Sequence, residues 1–165
     1  MSIFKPKEKL KRFTEFDAKK YKEAGFKAIF LDIDNTITLP NVGELTDEAK
    51  SFIDKLYEND FKVIIFSNNT IKRVKSFVGN YNVKWFAYSL KPLPFAYWIN
   101  CIRIGVRPSK TIVLGDQLLT DILGANLSGC YGIYTKQLQA KDTTLTARNR
   151  KIEKLIWRYI LHEEV

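Results

Sequence analysis

The stretch FKAIFLDIDNTIT, residues 26–38, joins a strand-like apolar run to two closely spaced aspartates. The run from Ala28 to Leu31 has the length of a buried strand, and Asp32 and Asp34 follow it. Buried carboxylates destabilise a fold unless a charged group pairs with them. The stretch therefore predicts a central strand whose carboxyl end carries a charged site.

Apolar runs of strand length recur along the chain, and the segments between them have helical periodicity. These runs are residues 26–31, 63–66, 83–88, 111–114 and 130–134. The pattern predicts the α/β class, as a Rossmann-like three-layer sandwich with a mostly parallel sheet and helices on both faces. The length of 165 residues predicts a single domain, 1–165, with basic N-terminal and C-terminal helical segments.

The composition excludes several classes of protein. A hydrophobic fraction of 45% and a charged fraction of 27% are typical of a soluble globular protein. No apolar stretch approaches the roughly 20 residues that span a bilayer, and the N-terminus lacks the apolar core of a secretory signal. Cys101 and Cys130 form no CxxC motif, and His162 is the single histidine, so we expect a cytoplasmic protein without histidine-based catalysis.

The net charge of +9 is concentrated at the two ends of the chain. Residues 1–30 carry nine basic and four acidic side chains, and residues 136–165 carry seven and four. Such ends suit an anionic membrane, a nucleic acid or an acidic partner, but they also suit a surface that is merely well solvated.

Polar residues follow the predicted strands at the edge where ligands bind in parallel sheets. They are Asp32, Asp34, Thr36, Ser67, Asn68, Lys91, Asp116 and Asp121. Carboxylates without histidine or cysteine suit Mg²⁺, and Mg²⁺ with a lysine and a serine hydroxyl suits a phosphoryl group. An aspartate can also attack phosphorus and form an aspartyl-phosphate.

Each of these motifs has a plainer interpretation when it is taken alone. Asp116 can simply end a strand, Lys91 can be a surface lysine, and Ser67 can belong to a turn. A calcium loop that begins at Asp32 is excluded, because its sixth and twelfth positions are Ile37 and Gly43. No glycine-rich nucleotide loop is present, and a non-catalytic basic binding protein remains an alternative.

Taken together, the four motifs resemble the haloacid dehalogenase (HAD) superfamily of phosphotransferases. Its D-x-D-x-T box matches residues 32–36, its serine and lysine match Ser67 and Lys91, and its acidic motif matches GDQLLTD at 115–121. LDIDNT, SNN, GDQLLTDILGAN and NRKIEKLIWR are similar to the subclass IIIA phosphatases of the YqeG type, which are related to mitochondrial phosphatidylglycerophosphatase.

The resemblance implies a nucleophile, a general acid and base, and a metal site. Asp32 is implied as the nucleophile and as a Mg²⁺ ligand. Asp34 is implied as the acid that protonates the leaving oxygen and as the base that activates water, with its backbone carbonyl on the metal. Asp116 is implied as the third protein ligand.

The remaining motif residues are implied to hold the phosphate or to support the site. Ser67 and the backbone amide of Asn68 are expected to bind phosphate oxygens, and Lys91 to neutralise the nucleophile and the phosphoryl charge. Asp121 is expected to orient metal-bound water or Lys91. Thr36 is expected to brace the loop.

The spacing of the motifs leaves no room for a cap domain, so the site is expected to be open and to favour a large phosphorylated substrate. The resemblance implies a lipid headgroup, with phosphatidylglycerophosphate cleaved to phosphatidylglycerol at the inner membrane face. Ile152, Leu155, Ile156 and Tyr159 share a helical stripe among basic residues, which suits either peripheral contact with an anionic membrane or packing on the sheet. A different large or soluble phosphomonoester, such as a protein, a metabolite or a nucleic-acid end, is the alternative substrate.

Overall fold

The computed structural model describes residues 2–40, 42–139 and 144–163. Its strands are β1 (Glu8–Leu10), β2 (Ala28–Leu31), β3 (Lys62–Phe66), β4 (Lys84–Phe86), β5 (Thr111–Gly115) and β6 (Tyr131–Thr135). They form one sheet in the order β1-β6-β5-β2-β3-β4, and every neighbouring pair is parallel. The predicted α/β class with a parallel sheet is confirmed.

Helices connect the strands and cover both faces of the sheet. They are α1 (Ala18–Glu23), α2 (Asp47–Glu58), α3 (Ile71–Val78), α4 (Pro94–Ile104), α5 (Leu123–Ser128) and α6 (Thr144–Ile156). A π-helical turn, Leu118–Ile122, precedes α5, and a second one, Trp157–Leu161, follows α6. The side chain of Thr46 accepts a hydrogen bond from the amide of Ala49 at 3.2 Å, so α2 begins with a threonine N-cap.

Strand β2 is buried on both faces because its side chains alternate between two cores. Ile29 and Leu31 pack in the cluster that includes the buried residues of α2 and α3. Phe30 packs in the opposite cluster, which includes Tyr97 of α4. This alternation produces the three layers and explains the unbroken apolar run of residues 28–31.

The basic N-terminal segment does not form the expected helix around residues 8–10. Glu8, Lys9 and Leu10 form β1 instead, an edge strand that pairs with Ile133–Thr135 of β6. Exposed charged side chains are well tolerated on an edge strand, and the ladder to β6 supplies its backbone hydrogen bonds. The helical prediction is therefore wrong for residues 8–10, whereas α1 forms a helix further along the basic N-terminal part of the chain.

Helix α6 lies across the carboxyl edge of the sheet. Trp157, just beyond α6, packs edge-on against Tyr134 of β6 with ring centroids 5.2 Å apart. The predicted stripe is split, because Ile156 is buried whereas Ile152, Leu155 and Tyr159 are exposed. The inward side of the helix instead carries Glu153, Ile156 and Trp157.

The segments between the motifs contain only helices and strands that belong to the core fold. Residues 42–67 contain α2 and β3, and residues 67–91 contain α3 and β4, so no cap domain interrupts the described residues. Across 2–40, 42–139 and 144–163, none of the helices combines the length and the apolar character that a bilayer span requires.

Candidate active site

Segments that follow three strands at the carboxyl edge of the sheet bring the charged residues of the predicted site together. Asp32 follows β2, Lys91 lies in the loop after β4, and Asp116 and Asp121 follow β5. Carboxylate oxygens of Asp32, Asp116 and Asp121 lie within 4.8 Å of one another. The three side chains are buried, so the edge of the sheet carries a compact acidic cluster.

Lys91 is the cation at the centre of this cluster. Its Nζ donates to Oδ1 of Asp32 at 2.6 Å and to Oδ1 of Asp121 at 2.7 Å, and its side chain is only 3% exposed. Burial by itself lowers the pKa of Lys91, but the Asp121 and Asp32 carboxylates outweigh burial and raise that pKa. The lysine therefore stays charged between two carboxylates.

The carboxylates behind Lys91 are strongly perturbed by burial. Burial raises the pKa of Asp116 to about 8, although the Arg150 guanidinium beside it acts in the opposite direction. Burial also raises the pKa of Asp121 to about 6, against the effect of Lys91. The three aspartates of the cluster therefore carry more negative charge, when all are ionised, than Lys91 and Arg150 can compensate.

The loop after β2 is held in a tight conformation by Asn35 and Thr36. Asn35 has a positive φ of 64°, which asparagine tolerates better than most residues, and its carbonyl accepts a hydrogen bond from the amide of Leu138 at 3.1 Å. The Thr36 hydroxyl lies 3.0 Å from Oδ1 of Asp116 and 3.3 Å from Oδ2 of Asp32. Thr36 thus bridges the two loops that carry these carboxylates.

The loop after β3 carries the Ser67 hydroxyl and braces the lysine loop. Oγ of Ser67 accepts hydrogen bonds from the amide and the side chain of Asn69 at 3.2 and 3.1 Å, and such a hydroxyl can still donate its own hydrogen. The side chain of Asn68 faces the lysine loop, where its Oδ1 accepts from the Lys91 amide and from Ser89 Oγ, both at 2.9 Å. Phosphate binding by the Asn68 amide stays a prediction.

The side chain of Asp34 is bound by residues at the start of α3 and just before it. Its Oδ2 accepts from Nδ2 of Asn69 at 2.6 Å, and its Oδ1 accepts from Nη2 of Arg73 at 2.9 Å. Sequence reasoning missed both partners. Asn69 lies in the SNN motif and could have been found there, but Arg73 is one of several basic residues on a helix and carried no distinguishing signal.

Helix α6 contributes a second pair of residues that sequence reasoning missed. Arg150 donates hydrogen bonds to the carboxylate and to the backbone carbonyl of Asp116. Glu153, one turn further along, accepts from Nη1 of Arg150 at 2.9 Å and from the amide of Leu119 at 3.0 Å. The NRKIEKLIWR stretch thus contacts the site through Arg150, which binds Asp116, and through Glu153, which binds Arg150 and the Leu119 amide.

Gly115 closes β5 at a point where no side chain fits. A Cβ at this position would overlap the carboxylate of Asp121. We expect Gly115→Ala to lower the free energy of unfolding by about 1–3 kcal/mol, because the buried Asp121 must move away from Lys91. Urea denaturation measures the change. Gly43→Ala is the matched control, since no atom lies within 4 Å of its added Cβ, and equal stabilities of the two variants would contradict the expectation.

The chain resembles proteins described as phosphatases along most of its length. Residues 1–83 match the family model described as mitochondrial PGP phosphatase, and residues 90–156 match the one described as HAD-hydrolase-like. Probable phosphatase YqeG of Bacillus subtilis (strain 168) is 31% identical over 154 residues, which are 93% of this chain and 90% of that protein.

Two further comparisons concern a yeast relative and a solved structure. The probable mitochondrial phosphatidylglycerophosphatase of Schizosaccharomyces pombe is 32% identical over 126 residues, which cover 66% of this chain and 58% of that protein. The cobalt-bound deoxy-D-mannose-octulosonate 8-phosphate phosphatase of Haemophilus influenzae shares the fold, with a TM-score of 0.54 at 15% identity over 67% of this chain and 68% of that one. The chain therefore belongs to the HAD-type phosphatases, in the family described as mitochondrial PGP phosphatase.

Proposed function

We propose that the protein is a Mg²⁺-dependent phosphomonoesterase that works through an aspartyl-phosphate on Asp32, and that its substrate is phosphatidylglycerophosphate. The observation that carries the proposal is the buried contact of Lys91 with Asp32 and Asp121 beside Asp116. A buried cation beside the nucleophile supplies a fixed positive charge for a phosphate dianion.

The acidic cluster suits a hard divalent cation. Three buried carboxylates with convergent oxygens, and without histidine or cysteine ligands, form the donor set that Mg²⁺ prefers. The resemblance to the HAD phosphatases assigns Asp32, Asp116 and the backbone carbonyl of Asp34 as ligands, and Asp121 then holds Lys91 and accepts from the Gln117 amide. When bound, Mg²⁺ would neutralise charge on the phosphoryl oxygens.

In the first step, a carboxylate oxygen of Asp32 attacks phosphorus and the bond from phosphorus to the ester oxygen breaks. Ser67 and the Asn68 amide hold phosphoryl oxygens, and Lys91 balances the charge that the nucleophile and the phosphate share. Asp34 gives its proton to the leaving alkoxide, which departs as an alcohol. Asn69 and Arg73 set the orientation from which Asp34 acts.

In the second step, Asp34 takes a proton from water, and the resulting nucleophile attacks the same phosphorus atom. The bond between phosphorus and the Asp32 oxygen breaks, which releases inorganic phosphate and restores both aspartates. Asp121 keeps Lys91 in place during both steps through the 2.7 Å contact, and Thr36 keeps the Asp32 and Asp116 loops together.

Two observations support a lipid headgroup as the substrate. One family description and one relative's name specify phosphatidylglycerophosphatase activity for those proteins. The fold also lacks a cap within its described residues, and a site without a cap accommodates a phosphate that belongs to a much larger assembly. We propose that the protein works at the cytoplasmic face of the membrane, in peripheral contact with its anionic surface.

Phosphate release from phosphatidylglycerophosphate in mixed micelles tests the proposal, with and without Mg²⁺. We expect release that requires the metal and gives phosphatidylglycerol. Cleavage of p-nitrophenyl phosphate but not of the lipid would leave the chemistry standing and refute the substrate. Cleavage of neither would favour a non-catalytic binding protein.

Arg150 gives a further prediction about the metal site. Arg150→Met leaves Asp116 buried without its cation, so we expect the free energy of unfolding without metal to fall by about 3 kcal/mol. We expect Mg²⁺ to recover part of this loss, because a divalent cation restores positive charge beside Asp116. Thermal unfolding with and without Mg²⁺ is the measurement, and Arg148→Met, on the exposed side of α6, is the control. A loss that Mg²⁺ does not reduce would contradict the assignment of Asp116 as a ligand.

A further inference from the structure

The loop that delivers Lys91 to the site also exposes three large apolar side chains. Tyr88, Leu90 and Leu93, called the apolar rim below, are 54%, 55% and 46% exposed. Lys91, between them in sequence, is turned inward onto Asp32. One short loop therefore presents a cation to the phosphate site and apolar groups to the surroundings.

The apolar rim is held outward by the backbone of the loop. Tyr88 and Leu90 have positive φ values of 46° and 55°, a conformation that is unfavourable for bulky residues and therefore requires support from the surrounding structure. The support comes from the loop after β3: the Tyr88 amide donates to the Asn69 carbonyl at 2.9 Å, and the Ser89 amide donates to the Ser67 carbonyl at 3.1 Å. The exposure is thus built into the fold.

A second apolar and basic surface lies on the other side of the site. Helix α6 reaches the site through Arg150 and Asp116, next to β5, whereas the apolar rim follows β4. The sheet order β5-β2-β3-β4 places Asp32, at the end of β2, between these two elements. The exposed residues of α6 and the turn after it combine apolar and cationic side chains, namely Ile152, Leu155, Tyr159, Lys151, Lys154 and Arg158.

We infer that the apolar rim and the exposed face of α6 dock the carboxyl edge of the sheet onto an anionic phospholipid bilayer, with the apolar rim entering the interfacial region. This inference rests on the proposed lipid substrate. Such a substrate has a phosphate at one end and an apolar body at the other, and the edge has the matching distribution, with the proposed phosphate site at its centre and exposed apolar and basic side chains on either side. Basic side chains beside apolar ones are the combination that binds anionic interfaces.

Vesicle co-sedimentation of the full chain tests the inference. The vesicles are phosphatidylcholine alone and phosphatidylcholine with phosphatidylglycerol. The test variant is Tyr88→Asn/Leu90→Asn, because asparagine tolerates positive φ and leaves the backbone support intact. The control is Ile102→Asn, because Ile102 is 79% exposed near the end of α4. This end of α4 lies at the opposite edge of the sheet, where the carbonyl of Ile104 accepts a hydrogen bond from Lys62.

We expect the wild type and the control to bind the anionic vesicles. The affinity of the double variant should be lower by a factor of about ten or more. Leu93→Ser serves as a second variant that preserves folding, because position 93 is the N-cap of α4 and serine favours that position. We expect a smaller loss for it, with turnover of p-nitrophenyl phosphate unchanged in all these variants.

The inference would be overturned if the wild type does not bind the vesicles. It would also be overturned if the wild type binds and none of the apolar-rim variants binds more weakly. Failure of the proposed function looks different, since vesicle binding would then depend on Tyr88 and Leu90 while phosphatidylglycerophosphate remained uncleaved.

Discussion

Asp32→Asn is expected to lower the rate of phosphate release by about four orders of magnitude or more, because an amide cannot form the acyl-phosphate bond. The fold should survive the change. Lys91 keeps Asp121 as a partner, and one of three crowded buried carboxylates becomes neutral. We therefore expect the unfolding temperature without metal to stay the same or to rise. Turnover of p-nitrophenyl phosphate and circular dichroism measure the two quantities.

Asp60→Asn is the matched control for this experiment. Asp60 is exposed, precedes β3 at the opposite edge of the sheet, and has a positive φ that asparagine tolerates. Its activity should equal that of the wild type. If Asp32→Asn releases phosphate at a rate within a factor of about ten of the wild-type rate, Asp32 is excluded as the nucleophile. A phosphoryl group trapped on the Asp32 peptide of Asp34→Asn would support the assignment independently.

Lys91→Met is expected to damage both stability and activity. Two buried carboxylates, Asp32 and Asp121, lose the cation that they share, so we expect the free energy of unfolding to fall by about 3–5 kcal/mol. Activity should fall by about a factor of 10³, because the phosphate loses a preorganised positive charge. Urea denaturation and turnover of p-nitrophenyl phosphate are the measurements.

The double variant Lys91→Met/Asp121→Asn separates the two effects. Neutralising Asp121 removes one orphaned charge, so part of the stability should return, whereas activity should not. Lys84→Met, on an exposed lysine of β4, should change neither quantity. Recovery of activity in the double variant would mean that Lys91 serves only to neutralise Asp121.

Sequence patterns were sufficient for the central strands and for the residues that follow them. Ala28–Leu31 and Thr111–Gly115 are apolar because both sheet faces are covered, so each run ends visibly where polar residues begin. The four motifs predicted at those ends meet around Lys91 in the structure. Strand β1 could not be found in this way, because Glu8–Leu10 has no apolar run and its conformation depends on a distant partner, β6.

Helix α6 shows a second reason for failure. The stripe of Ile152, Leu155, Ile156 and Tyr159 was compatible with packing on the sheet or with contact to a membrane, and it gave no sign that polar residues of the helix would be buried. The structure instead buries Glu153 and directs Arg150 to Asp116, because hydrogen bonds and opposite charges offset the loss of their hydration. Periodicity cannot predict a buried ion pair whose partner lies in another element.

The order of strands in the sheet has a consequence for synthesis on the ribosome. Strand β2 lies between β3 and β5, but β5 begins only at Thr111, so one edge of the most apolar strand lacks its partner while the intervening residues are made. Strand β1 lacks its partner for even longer, because it pairs with β6, which is synthesised after β5. An unpaired apolar strand edge is a template for aggregation. Nascent chains that stop before β5 should therefore be insoluble, and chaperones that shield such edges should act on this protein until its last strands emerge.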